Sequence, residues 1–274
     1  MRNQNKVCIF LLLVIIGITS CKKDCVKQLQ HFISEKKYEK TIDKATKCLS
    51  KSDDRLIYAY RGVAYYNIGE YNKAYKDLVY AIINEEVTPE IIEVLILTEE
   101  QLGKYEEAIM NTSKLINFDS TNIDYFYRRG ELYGKLGAYE NTIDDMSFVI
   151  RKDSTYTNAL NERGLAYCKL GSYKNAIKDF SSAIEIKPTE SSLYYNRAIS
   201  LMYMKNNAMA LKDLNKSIKI DSTNGTSYYN RAIVHMFLDM KNESCNDLEK
   251  AISLNFNNIE KELYDYCNLN ILEK

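Results

Sequence analysis

Tryptophan is absent from the 274 residues, proline occurs twice and glycine only ten times. With so few helix breakers and turn formers, a collagen-like or Gly/Pro-rich chain is excluded and a turn-rich sheet protein is disfavoured, which leaves long helices. Neither sign of charge is in excess. The 37 basic and 37 acidic residues cancel, so nothing global points to nucleic acid as a partner. Histidine occurs only as His31 and His235, neither with a second ligand at metal spacing, and no two of the seven cysteines form a CxxC pair. A Ser-His-Asp set, a phosphate loop and a framed pair of carboxylates are all lacking. The expectation is a protein with no catalytic residues, no cofactor and no metal. What is abundant is tyrosine, at 23 residues, and those rings recur in register.

The first twenty residues have the character of an address. Arg2 and Lys6 precede an apolar run from Val7 to Ile18. At about twelve residues it is too short for a hydrocarbon core that needs ~20, and it suits the h-region of a secretory signal. Its end, Ile18-Thr19-Ser20-Cys21, resembles the bacterial lipobox, which implies cleavage after residue 20, lipidation of Cys21 and a palmitate-bearing anchor in the cell envelope, most simply the outer membrane. Lys22-Lys23-Asp24 loosely resembles the charged tract that follows the lipidated cysteine in surface-exported lipoproteins of the Bacteroidetes, although a solvated tether explains it as simply.

Beyond that address the chain repeats. The segment 157–190 carries Leu160, Gly164, Tyr167, Gly171, Tyr173, Ala176, Phe180, Ala183 and Pro188. Steps of 34 residues give copies over 55–88, 89–122, 123–156, 157–190, 191–224 and 225–258, without insertion. Position 8 of the copies reads Gly62, Ile96, Gly130, Gly164, Ala198, Ala232; position 24 reads Leu78, Thr112, Met146, Phe180, Leu214, Leu248. Small residues let two antiparallel helices approach, and large ones at helical spacing fill the space between them. Gly171 suits a left-handed helix end, and Pro188 stops the second helix.

These residues at this period resemble the tetratricopeptide repeat. The resemblance covers nearly all of the chain after Cys21 and implies an all-α solenoid of stacked helix–turn–helix pairs. Residues 21–54 hold the tether and a degenerate repeat, with Tyr38, Thr41, Ala45 and Cys48 at second-helix spacings. Residues 259–274 form a capping helix, with Leu263, Tyr266, Leu269 and Leu272 on one face. No stretch is left over for a catalytic domain.

Departures from the pattern raise local expectations. Ile96 and Glu99 stand where the copy 89–122 should have Gly and Tyr, so its helices are expected further apart, as a soft joint. The last two copies lack the interhelix Gly. Asn206 is expected to take the left-handed position in one, and the other offers no evident residue. Cys25 and Cys48 lie on facing helices; a bridge is open to them, while small buried fillers is the plainer reading. His235 occupies a Tyr position and reads as packing.

In the family, groove-facing residues fall at positions 2, 5, 9, 12 and 13 of each repeat. Carried onto this chain, they are the acidic set Glu90, Glu93 and Glu100, followed by Gln101. The last two repeats give the apolar set Tyr195, Ile199, Met202, Tyr203, Tyr229, Ile233, Met236 and Phe237. Aromatics and Met suit an adaptable peptide-binding face. The alternative is that this face packs on the capping helix 259–274 or on a neighbouring copy of the chain. The Lys and Asn of the chaperone-tail clamp are replaced by Ala59 and Val63, with Val94 and Asp124 further on; only Arg128 matches. The implied function is a lipid-anchored envelope scaffold holding a protein or peptide segment in its groove. A subunit docking through its convex face and a glycan-binding accessory protein are the alternatives.

Overall fold

In the computed structural model, residues 20–84 and 88–267 are described. Residues 1–19 and 268–274 lie outside this range, and with them most of the expected signal and the cap residues Leu269 and Leu272. Fifteen α-helices follow one another with no strand among the described residues. They are α1 Ser20–Ser34, α2 Tyr38–Leu49, α3 Arg55–Asn67, α4 Tyr71–Ala81, α5 Pro89–Gln101, α6 Tyr105–Phe118, α7 Ile123–Leu136, α8 Tyr139–Lys152, α9 Thr157–Lys169, α10 Tyr173–Ile186, α11 Ser191–Tyr203, α12 Asn207–Ile220, α13 Gly225–Phe237, α14 Lys241–Ser253 and α15 Lys261–Cys267. From α3 to α14 the helices begin at positions 1 and 17 of each 34-residue step, so the sequence register is the structural register.

The helix ends follow from local chemistry. Position 15 is left-handed in every full repeat: Gly69, Gly103, Gly137 and Gly171, then Lys205 (φ 58°) and Asp239 (φ 60°). This corrects the expectation for Asn206, which is instead the N-cap of α12 and accepts from the Met209 N–H with its side chain. The turn geometry demands φ > 0 one residue earlier whatever residue stands there. Between repeats the second helix is stopped less by proline than by an Asp-x-Thr turn. Oδ1 of Asp119, Asp153 and Asp221 each accepts from the backbone N–H and the hydroxyl of the Thr two residues on. Those bonds hold the three carboxyls below their usual pKa.

The chain divides into two compact bodies, one ending at Leu136 and the other starting at Gly137, so the break falls between the two helices of the copy 123–156. In the first body, Val26, Leu29, Ala45, Ile57 and Tyr60 form one core, Val63, Leu78, Ile91 and Leu95 with their neighbours a second, and Ile96, Ala108, Leu115 and Leu132 a third. Cys25 and Cys48 are disulfide-bonded, so they staple α1 to α2 and are more than apolar fillers. In the second body, cores centred on Leu160 and Leu193, on Leu201 and Leu214, and on Tyr229 and Leu248 lie one after another. A second disulfide, Cys245–Cys267, fastens α15 to α14. No sequence spacing announced it, since the two cysteines meet only when α15 folds back over the last repeat.

Position 8 meets position 24 inside the repeats 55–88 and 157–190. A Cβ on Gly164 would lie 2.7 Å from Cε1 of Phe180, and one on Gly62 2.7 Å from Cγ of Leu78. In the copy 89–122 the sizes are exchanged, with Ile96 at position 8 and Thr112 at position 24, both fully buried. Large-for-small exchange fills the same volume, so Ile96 does not by itself call for the wider spacing expected from it.

A polar clamp also recurs. Arg61, Arg163, Arg197 and Arg231, at position 7, each grip an aspartate at position 23 (Asp77, Asp179, Asp213 and Asp247) through two bonds of 2.6–2.9 Å. The remaining guanidinium nitrogen reaches back to position 25 of the preceding repeat, or its equivalent in α2: Thr46, Ser147, Ser181 and Asn215 respectively. Arg129 reaches Ser113 in the same way. Planar two-point pairing gives direction as well as energy, so the clamp fixes both the hairpin and its stacking on its neighbour. Sequence reasoning overlooked it, although Arg and Asp sixteen residues apart recur in the same 34-residue steps.

Candidate functional site: the faces of the first helices

In the first body the acidic residues of α5 are not a free negative patch. Glu90, Glu93 and Glu100 are all half-buried. Glu93 accepts from the Tyr125 hydroxyl at 3.1 Å. Burial first, and then the charge of Glu93, push the Tyr125 phenol up to about 12. Glu100 lies 3.0 Å from Lys135 Nζ and 3.6 Å from Arg128 Nη1. The basic groups of α7 therefore neutralise the outer half of α5. Between these helices lies a cavity of about 390 Å³ with Leu115, Glu93, Asp124, Tyr125, Arg128 and Glu131 among its walls.

In the second body the eight apolar residues separate into two groups. Tyr229 is buried, with its ring stacked on Phe256 (centroids 4.5 Å apart) and in the same core as Leu248 and Leu263. Ile233 and Met236 pack partly against that core. These three residues thus belong to the core that α13 and α14 share with Leu263 of α15. Tyr195 is half-buried and accepts from Asn230 Nδ2 at 3.3 Å, and burial raises its phenol pKa. Ile199 and Met202 are half-buried, and Met202 leans on the core of Ala198, Leu201 and Val234.

Tyr203 and Phe237 are different. They are 64% and 63% exposed, at the last residue of α11 and α13. The Tyr203 ring lies flat on Tyr173, the first residue of α10, with centroids 4.6 Å apart and planes 1° from parallel. The same two positions meet in the first body, where Lys135 Nζ sits 5.4 Å over the Tyr105 ring. Exposed Met204 lines the same surface as Tyr173. Cys21 is the second residue of α1, and its side chain lies outside the described residues. Among the described residues no group of His, Cys, Asp and Glu could hold a metal ion, and no helix is long and apolar enough to cross a membrane.

The tetratricopeptide-repeat family model matches residues 157–190, and a second model of the same description matches 191–224 and 225–258. Both fall on the 34-residue register. No curated protein sequence matches the chain. Among solved structures, the C-terminal part of a TPR repeat-containing protein from Cytophaga hutchinsonii superposes with TM-score 0.70 at 20% identity, covering 90% of this chain and all of that one. A tetratricopeptide repeat protein from Parabacteroides merdae gives 0.60 at 18%, covering 90% and 97%. MamA from Desulfovibrio magneticus gives 0.59 at 14%, covering 61% and 94%. At these identities the likeness is one of fold, while the family models speak for 157–258 directly: the last three full repeats are tetratricopeptide repeats, in an all-α chain whose fold is shared with solved proteins of that kind.

Proposed function

We propose that this protein is a lipid-anchored scaffold of the bacterial cell envelope that holds a segment of a protein partner against the first-helix face of its last repeats. One observation carries the binding half of the proposal. Tyr203 and Phe237 are large aromatics left almost two-thirds exposed at the same position of consecutive repeats. Aromatics of this kind are the usual anchors of a protein interface. Half-buried Ile199 and Met202 supply the adaptable surround. The acidic helix α5 contributes polar partners in place of net charge, because Lys135 and Arg128 already balance Glu100.

The anchoring half rests on the lipobox-like Ile18-Thr19-Ser20-Cys21. The two disulfides, one at each end of the described chain, suit an oxidising compartment beyond the cytoplasm. Two experiments separate the halves. Crosslinking in the native envelope with mass spectrometry should recover a protein partner that is lost in the Tyr203→Ala/Phe237→Ala variant. Partner capture unchanged by that pair refutes groove binding and returns the convex face. Metabolic palmitate labelling should vanish in Cys21→Ala; a variant that stays labelled refutes the anchor.

A further inference from the structure

The copy 89–122 departs from the clamp at every position the clamp uses. Leu95 replaces the arginine at position 7, Asn111 the aspartate at position 23, and Val79 the hydroxyl or amide at position 25 of the preceding repeat. At position 11, where Tyr65, Tyr133 and Tyr167 stand elsewhere, it has Glu99, only 1% exposed. Asn111 Nδ2 donates to both Glu99 oxygens, at 2.8 and 3.0 Å, and Asn111 Oδ1 accepts from Lys114 Nζ at 3.0 Å. The half-buried guanidinium of the clamp has gone, and a buried carboxyl group is held by a neutral amide.

We propose that the α5–α6 pair is a pH-sensitive joint, closed while the Glu99 carboxyl carries its proton and loosened once that proton is lost. The ionisable groups around it offer little compensation. From α6 and the turn before it, Glu107 repels the charge, while Lys114 and Lys104 oppose that effect. Lys114 is engaged by Asn111, and Lys104 lies beside Glu107 and over the Tyr75 ring of α4. On α4, Asp77 is closed by Arg61 of α3. On α7, Arg128 and Lys135 are drawn to Glu100, and Arg129 reaches Ser113. Burial, the largest influence, raises the Glu99 pKa to about 7 against an ordinary 4.5; the Asn111 bond opposes it. A folded-state pKa above the unfolded one means that the closed form is favoured fully below 4.5 and loses ground as pH rises towards 7. Opening that admits water to the carboxylate should then grow roughly tenfold per pH unit across that window and level off above it. This device stands whether or not the first-helix face binds a partner.

Native-state hydrogen exchange on the whole protein from pH 5 to 8.5, corrected for the intrinsic rate, reads the opening directly. Protection of α5 and α6 should fall about tenfold per unit up to about pH 7 and then flatten, while α10 and α11 stay level. Glu99→Gln keeps the shape and the amide bond without the charge, and should make the α5–α6 profile flat. A flat profile in the native protein, a slope shared equally by α10 and α11, or a slope retained in Glu99→Gln overturns the proposal. Should Glu99→Gln fail to fold, the comparison of helices within the native protein decides alone.

Discussion

Gly164→Ala tests whether the repeat is held by the close approach of positions 8 and 24. Two effects oppose. Alanine in a helix interior is favoured over glycine by about 1 kcal/mol. The new methyl would stand 2.7, 2.9 and 3.1 Å from three carbons of the Phe180 ring. Phe180 is fully buried at the α9–α10 contact, so relief requires a shift of the ring or of a helix, and overpacking of this kind costs about 1–3 kcal/mol. With three ring atoms inside normal contact the upper part of that range applies, giving a net loss of about 1–2 kcal/mol despite the better helix former. The next repeats show the remedy. Ala198 and Ala232 stand at position 8 with Leu214 and Leu248 at position 24. Phe180→Leu in the Gly164→Ala background recreates that pairing and should recover most of the loss. Urea denaturation of wild type, both single variants and the double, read as a cycle, should give a favourable coupling of about 1 kcal/mol or more. Gly164→Ala at or above wild-type stability, or two additive single effects, would refute close approach as the organising contact.

Other consequences can be checked with the same material. Lys205→Gly and Asp239→Gly relieve left-handed residues and should each stabilise the protein by about 1 kcal/mol in thermal unfolding, whereas Gly171→Ala, at φ 73°, should lose a similar amount with no steric clash. Arg197→Leu leaves Asp213 buried without its partner and should cost about 2–4 kcal/mol. Adding Asp213→Asn and Ser181→Val imports the set at Leu95, Asn111 and Val79 and should return more than half of that loss. Reduction of the two disulfides should lower the melting temperature, each staple being worth about 3 kcal/mol for a closed loop of this size, and should raise exchange first in α1 and α15.

Periodic features were legible in the residues and singular ones were not. Helix starts at positions 1 and 17, the small–large pairing of Gly164 with Phe180, and the left-handed Gly171 are requirements imposed again every 34 residues, and six copies within one chain make them visible. The Cys245–Cys267 bridge arises once, through the fold-back of α15, and has no period to betray it. Phe256, which stacks on Tyr229 from the turn after α14, is likewise a single occurrence. A residue at a groove position of the final repeat meets the chain's own C-terminal segment, which position numbering cannot foresee. Lys205 was missed for a different reason. Residue preference pointed to Asn206, but the backbone geometry of the turn decides which residue becomes left-handed, and the side chain there must adapt.

The copy 89–122 shows why departures from a repeat should be read together. Taken singly, Ile96 suggests a helix pair forced apart, Leu95 a lost ion pair and Glu99 an error. Taken together, Ile96 is matched by Thr112, and Leu95 goes with Asn111 and Val79, so no guanidinium or aspartate is left without its partner. Most substitutions in this repeat compensate one another, and packing offers no evident reason for softness. Glu99 alone adds a burden that its neighbours relieve only in part, through one amide. The physical cause of yielding at this joint is therefore the loss of a proton, which ties the least regular repeat to pH.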